Sequence, residues 1–172
     1  MHEAAARGDR VTGLSRRDDG LDVTDPAAVA RVLGALQGPF ERVIVATGIL
    51  APEGAGPEKS LEAIDAGTMA RVLAVNAIGP ALVLREVPRL VPREGRAEVG
   101  VLTARVGSIG DNKIGGWYSY RASKAALNQI VHGAAIELGR SHKQSICVAL
   151  HPGTVETPFT ADYAGRHKTV PA

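Results

Sequence analysis

Short apolar runs alternate with helix-length stretches along this chain, and that rhythm limits it to a layered α/β fold. The clearest runs are Val43–Ala46, Ala97–Thr103 and Ser145–Leu150. A short continuous apolar run suits a strand covered on both faces, as in a parallel sheet. Parallel neighbours need a long crossover, and the intervening stretches are long enough to supply helices for it. Asp25 predicts an N-cap with Pro26 at the first helical position, the helix running to about Leu36 and ending near Gly38. Ser60 followed by Leu61 opens a second helical pattern through Leu73 and Val75 to about Leu90, with Pro80 bending or dividing it. A third helix is expected over Ser119–Gly139. Ahead of these, Glu3–Arg7 reads as a helix tail stopped by Gly8, and Arg10–Ser15 as a strand. Pro52–Pro57 and Pro152–Pro158 are loops. With no repeat, low-complexity tract or linker, residues 1–172 read as one domain.

Charge and cysteine content narrow the partners. The 20 basic and 18 acidic side chains nearly cancel, which argues against nucleic acid or an anionic membrane, both of which want a clustered basic face. No apolar run is read as reaching bilayer-spanning length, so no transmembrane helix is expected. Met1–Arg10 mixes acidic and basic residues in a way unsuited to a secretory signal. Cys147 is the only cysteine, so no internal disulfide can form and a reducing, cytoplasmic setting is expected. The five histidines lack zinc-ligand spacing and cysteine companions, so no metal site is expected.

Tyr120-Arg-Ala-Ser-Lys124 carries the sharpest chemistry. Residues four apart share a helix face, so a phenol and an ammonium can enter one pocket. A fixed positive charge nearby favours the phenolate and is expected to lower the tyrosine pKa. A tyrosine so tuned can give or take a proton while hydride moves at a neighbouring carbon.

The stretch from Gly115 to Asn128, Gly-Gly-Trp-Tyr-Ser-Tyr-Arg-Ala-Ser-Lys-Ala-Ala-Leu-Asn, resembles the active-site helix of the short-chain dehydrogenases/reductases. Three further segments match that family in order. Leu73–Pro80 resembles the helix with its catalytic Asn, His151–Pro158 its Pro-Gly-x-x-x-Thr loop, and Val45–Leu50 a relaxed Asn-Asn-Ala-Gly strand end. Arg105–Asn112 is similar to the subgroup related to bacterial C-factor proteins. The resemblance implies a Rossmann-like, doubly wound parallel sheet and a nicotinamide-dependent oxidoreductase acting on a carbonyl or secondary alcohol. It implies Tyr120 as general acid/base and a cofactor contact, Lys124 as its pKa-lowering and ribose-binding partner, and Asn76 as the residue whose backbone holds a proton-path water. For the hydroxyl that bonds the substrate oxygen, the family position holds Ala104, leaving Ser108, which is favoured, and Thr103.

On the cofactor side, an acidic residue at the end of the second strand would grip the NAD ribose, whereas arginine accommodates the extra phosphate of NADP. Ser15, Arg16 and Arg17 stand there, so NADP(H) is expected over NAD, with solvated surface arginines as the plain alternative. Asp22 and Val23 resemble the adenine-contacting pair. Ala46, Thr47 and Gly48 resemble the strand end at the cofactor, and Pro152, Gly153, Val155 and Thr157 the loop beside the nicotinamide. The family also implies a homodimer or tetramer. No Gly-x-Gly-x-x-Gly spacing precedes Arg10. The sheet is therefore expected to lack its first strand and Gly-rich turn, and cofactor binding is expected to be weak or absent. The competing expectation is an inactive relic serving as a binding or signalling module.

Overall fold

In the computed structural model, residues 2–155 and 169–170 are described. A short helix, α1 (His2–Ala6), is followed by an irregular run to a second short helix, α2 (Arg16–Asp19). The expected strand over Arg10–Ser15 is not formed. The Ser15 hydroxyl accepts from Asp18 N at 2.9 Å while Ser15 N donates to the Asp19 carboxylate at 2.7 Å. These reciprocal bonds satisfy the opening N–H groups of a helical turn and direct the chain into α2 instead of along a sheet edge. Gly20, at φ 67°, closes it in the left-handed conformation that glycine adopts without a side-chain penalty.

Helix α3 (Pro26–Gly34) starts as expected, the Asp25 carboxylate accepting from Ala27 N at 2.9 Å, but stops short of Leu36. Strand β1 (Arg42–Val45) follows. Ser60 makes no capping bond and opens only a single tight turn, Leu61–Ala63. The next helix, α4 (Ala66–Leu73), begins where the Asp65 carboxylate takes Thr68 N at 2.7 Å. A π-helical turn over Ala74–Ile78 joins it to α5 (Gly79–Leu90). Pro80 follows directly on the π turn, at the second residue of α5, so it marks the division between the two turns without breaking the helical stretch. Then come β2 (Ala97–Leu102), α6 (Tyr118–Ser141) and β3 (Ser145–Leu150), with a separate parallel pair, β4 (Thr154–Val155) and β5 (Thr169–Val170).

The main sheet runs β1-β2-β3, all parallel, with Val43 opposite Val99 and Val99 opposite Cys147. One face is buried: Val45, Val99 and Val101 pack with Val87, Leu127 and Val131 from α5 and α6. The half-buried Cys147 joins that core, and burial pushes its thiol pKa up. Ile44, Ile146 and Val148 on the other face are exposed.

The segment Ala66–Leu90 corrects one expectation, because it is a helical stretch of 25 residues, long and apolar enough to cross a membrane by length and composition. A core helix has the same character, and this one buries Val72, Ala77, Val83, Leu84 and Val87 while touching α3, α6 and β1. Pro88 sits inside α5. Its carbonyl is paired with Nε2 of the buried His142 at 3.0 Å, and the other ring nitrogen lies 2.8 Å from Ser141 Oγ. His142 thereby ties the end of α6 to the last turn of α5. His142→Ala should cost about 2 kcal/mol by leaving the Pro88 carbonyl unpaired, read as a lower urea midpoint at unchanged slope.

Candidate active site

Asn76 sits in the π turn, fully buried. Its Oδ1 accepts from Ile49 N at 2.8 Å, and its Nδ2 donates to Ile49 O at 2.8 Å and to Ser123 Oγ at 3.0 Å. The amide thus pairs with Ile49 as a neighbouring strand would, docking the loop after β1 onto the helix. Single π turns inside α-helices are frequent at functional sites. Ser123 Oγ in turn donates to Tyr120 O at 2.8 Å, so the network reaches α6.

Tyr120 and Lys124 are both buried on one face of α6. Lys124 Nζ donates to Leu102 O, at the end of β2, at 3.1 Å and lies 5.8 Å from the Tyr120 ring centroid. A Cβ on Gly48 would stand 3.5 Å from both Lys124 Nζ and Asn76 Oδ1, so the strand-end glycine borders both groups. Gly107 is under a harder constraint: a Cβ there would lie 2.8 Å from Lys124 C and 2.9 Å from Lys124 O. Only glycine lets the turn Arg105–Gly107 sit so close to the backbone that carries the lysine. Next to this cluster, Thr47 Oγ1 is buried with no partner among the described residues. Buried hydroxyls are normally paired, so this one suits a polar ligand group.

Burial pushes the Tyr120 phenol up to about 12 and the Lys124 ammonium down to about 8. The expectation of a lowered tyrosine pKa is therefore corrected. The ammonium is engaged by Leu102 O and stands off the ring, so desolvation of the phenol wins over attraction to the charge.

The other expected site residues lie further out. Ser108 is exposed, in a hollow with Arg121, Ala122 and Ala125, which turn away from Tyr120 and Lys124 at 3.6 residues per turn. The Thr103 hydroxyl donates to Asn128 Oδ1 at 2.7 Å. Ser15, Arg16 and Arg17 are at α2, not at a strand end, and Arg17 pairs with Asp18 at 3.0 Å in solvent. Asp22 accepts from Thr24 N and Oγ1, bonds that hold its carboxyl below the usual carboxylate range. Val23 packs on Gly79, where a Cβ would lie 2.7 Å from Val23 Cγ2. Ala46 follows β1 and is exposed, and Pro152 and Gly153 are exposed too, with Gly153 at φ 86°. Val155 belongs to β4, and Thr157 falls outside the described residues. Among the described residues no group of three or more His, Cys, Asp and Glu side chains could hold a metal ion.

Two participants were not anticipated. Ser123, three residues after Tyr120 and hence on its helix face, was within reach of periodicity. Glu58, whose carboxylate accepts from Ser119 N at 3.2 Å, is 61 residues away from it and gave no local signal.

Comparison with known proteins bears on what this geometry belongs to. The family model for enoyl-(acyl carrier protein) reductase matches residues 10–171. The chain is 33% identical over 153 residues to the 1-hydroxy-2-glutathionyl-2-methyl-3-butene dehydrogenase of Rhodococcus sp., covering 89% of this chain and 65% of that one. It is 39% identical over 112 residues to the C-signal protein of Myxococcus xanthus, covering 63% and 62% respectively. A crystal structure of a short-chain dehydrogenase/reductase from Burkholderia multivorans with bound NADP superposes with a TM-score of 0.72 at 29% identity, over 92% of this chain and 64% of that one. The chain thus spans just under two thirds of the length of these two curated relatives. The fold, the ordered motifs and these matches together make the chain a member of the short-chain dehydrogenase/reductase family.

Proposed function

We propose that the chain is an NADP(H)-dependent oxidoreductase that interconverts a carbonyl and a secondary alcohol, with Tyr120 as the proton donor and acceptor. The observation that carries this reading is one buried cluster: the Lys124 ammonium 5.8 Å from the Tyr120 ring centroid, with Gly48 bordering both that ammonium and the Asn76 amide. The Thr47 hydroxyl, unpartnered among the described residues, and the approach at Gly48 fit the polar edge of a nicotinamide cofactor, and the arginines at α2 are proposed for the extra phosphate of NADP. When bound, the nicotinamide supplies or removes hydride at the substrate carbon.

The residues of the chain handle the proton. With its pKa pushed up to about 12, Tyr120 is a phenol at neutral pH and can donate in the reducing direction. Lys124, down to about 8, still carries its charge at pH 7 and stabilises the phenolate left behind. Ser108 is the proposed partner for the substrate oxygen, a role that requires its exposed hydroxyl to turn from the Arg121 hollow toward Tyr120. Thr103 is the second candidate, with its proton already given to Asn128.

Cofactor choice gives the test. An exposed ion pair such as Arg17–Asp18 is worth little, so that guanidinium can exchange its partner for a phosphate at small cost. NADPH should bind about tenfold or more tightly than NADH, as one charge-assisted bond to phosphate implies. The double variant Arg16→Ala/Arg17→Ala should abolish the difference. Titration of the bound reduced nicotinamide's fluorescence measures both, and equal affinities in the unaltered chain would refute the NADP(H) assignment.

A further inference from the structure

The first turn of α6 is gripped from outside by a residue with no part in the proton transfer. Glu58, in the loop after β1, is 6% exposed although it carries a carboxylate. That carboxylate accepts from Ser119 N at 3.2 Å and from Ser119 Oγ, and the Glu58 carbonyl accepts from Trp117 N at 2.5 Å. No cation pairs with it among the described residues. Burial pushes its carboxyl up, yet the bonds from the Ser119 hydroxyl and amide outweigh that and hold it below the usual range, so it stays ionised. A negative charge at a helix N-terminus is also favoured by the unpaired N–H groups there.

The backbone entering this turn is unusual. Gly115, Gly116 and Trp117 are all left-handed, at φ 72°, 65° and 53°. Tryptophan in that conformation is strained and persists only where its surroundings hold it. At Gly116 a Cβ would come within 3.3 Å of Glu58 O, so the approach is tight. The Trp117 ring then meets the Tyr120 ring edge-on, centroids 6.2 Å apart at 69°.

We propose that Glu58 is a positioning residue for Tyr120. By holding Ser119 and Trp117 it sets where α6 begins, and the Trp117 ring fixes the phenol in its place beside Lys124. The proposal deepens the oxidoreductase reading and rests on it for its kinetic consequence. Displacement of a reacting group by about an ångström can cost about a hundredfold in rate, so kcat is the sensitive quantity.

Glu58→Gln keeps the shape but removes the charge and leaves one acceptor oxygen where the carboxylate used two, on Ser119 N and Ser119 Oγ. It should lower kcat by about 10- to 100-fold while leaving NADPH affinity within about twofold. Trp117 is the only tryptophan, so its fluorescence and near-ultraviolet dichroism report the clamp directly, and both should change. Combined with Ser119→Ala, the loss should be no greater than that of the worse single variant, as for two residues acting through one contact. Unchanged kcat and Trp117 signals in Glu58→Gln, or effects that simply add, would overturn the proposal. Should Glu58→Gln fail to fold, Ser119→Ala carries the test alone: it should lower kcat and shift Trp117 emission, and a change in neither would be fatal. An unaltered chain without turnover would instead refute the oxidoreductase reading, leaving the Trp117 signals to decide on the clamp.

Discussion

Tyr120→Phe should lower kcat by roughly 10²- to 10⁴-fold, the usual contribution of one positioned acid/base group. The substitution removes an oxygen and keeps the ring, so the edge-on contact with Trp117 survives. The Ser123-to-Tyr120 hydrogen bond goes to the backbone carbonyl and is unaffected. The fold should therefore persist, and the loss of turnover should far exceed any change in thermal stability or NADPH affinity. Steady-state kinetics with a ketone substrate, alongside cofactor titration, separates the two. Turnover within about threefold of the unaltered chain would remove Tyr120 from the chemistry, because no hydroxyl replaces it in the variant.

What the sequence made legible was governed by short-range periodicity. The strand at Ser145–Leu150 is where the apolar run puts it, and α6 exceeds its expected span by only a residue or two at each end. The four-residue spacing of Tyr120 and Lys124 placed both on one buried face. Failures arose where two local readings compete. Ser60 and Asp65 both have N-cap character, and only Asp65 makes the capping bond. Arg10–Ser15 has strand-like composition, but Ser15 is drawn into capping α2. Spacing also says nothing about depth. A lysine one turn away argues for a lowered phenol pKa, whereas the buried setting reverses the direction. Contacts between distant segments, such as Asn76 with Ile49 or Glu58 with Ser119, exist only once the loops after β1 are folded back.

Lys124→Met should abolish turnover and yet make the protein more stable at neutral pH. Burial holds the Lys124 pKa at about 8 against an ordinary 10.5, so the charged form is the disfavoured one in the folded state. Below pH 8 folded and unfolded chains both carry the proton, and the cost of burying it is felt in full. Between pH 8 and 10.5 the folded chain sheds that proton first; the unfolded state then binds more protons, and stability rises with pH. Tyr120 acts oppositely and higher: raised from 10 to about 12, it lets the unfolded state lose its proton first, so stability falls above pH 10. From pH 7.5 to 9.5 the Lys124 contribution should add on the order of 2 kcal/mol. Methionine fills a similar unbranched volume without a charge. The variant should lose that pH-dependent gain and exceed the unaltered chain at pH 7.5, less about 1 kcal/mol for the Leu102 carbonyl left without its donor. Turnover should fall at least 10²-fold, because nothing then stabilises the phenolate that proton donation creates. Urea unfolding of both proteins at the two pH values decides the matter. A variant less stable at pH 7.5, or one with the same pH dependence as the unaltered chain, would mean that the ammonium is not the strained group at the centre of this site.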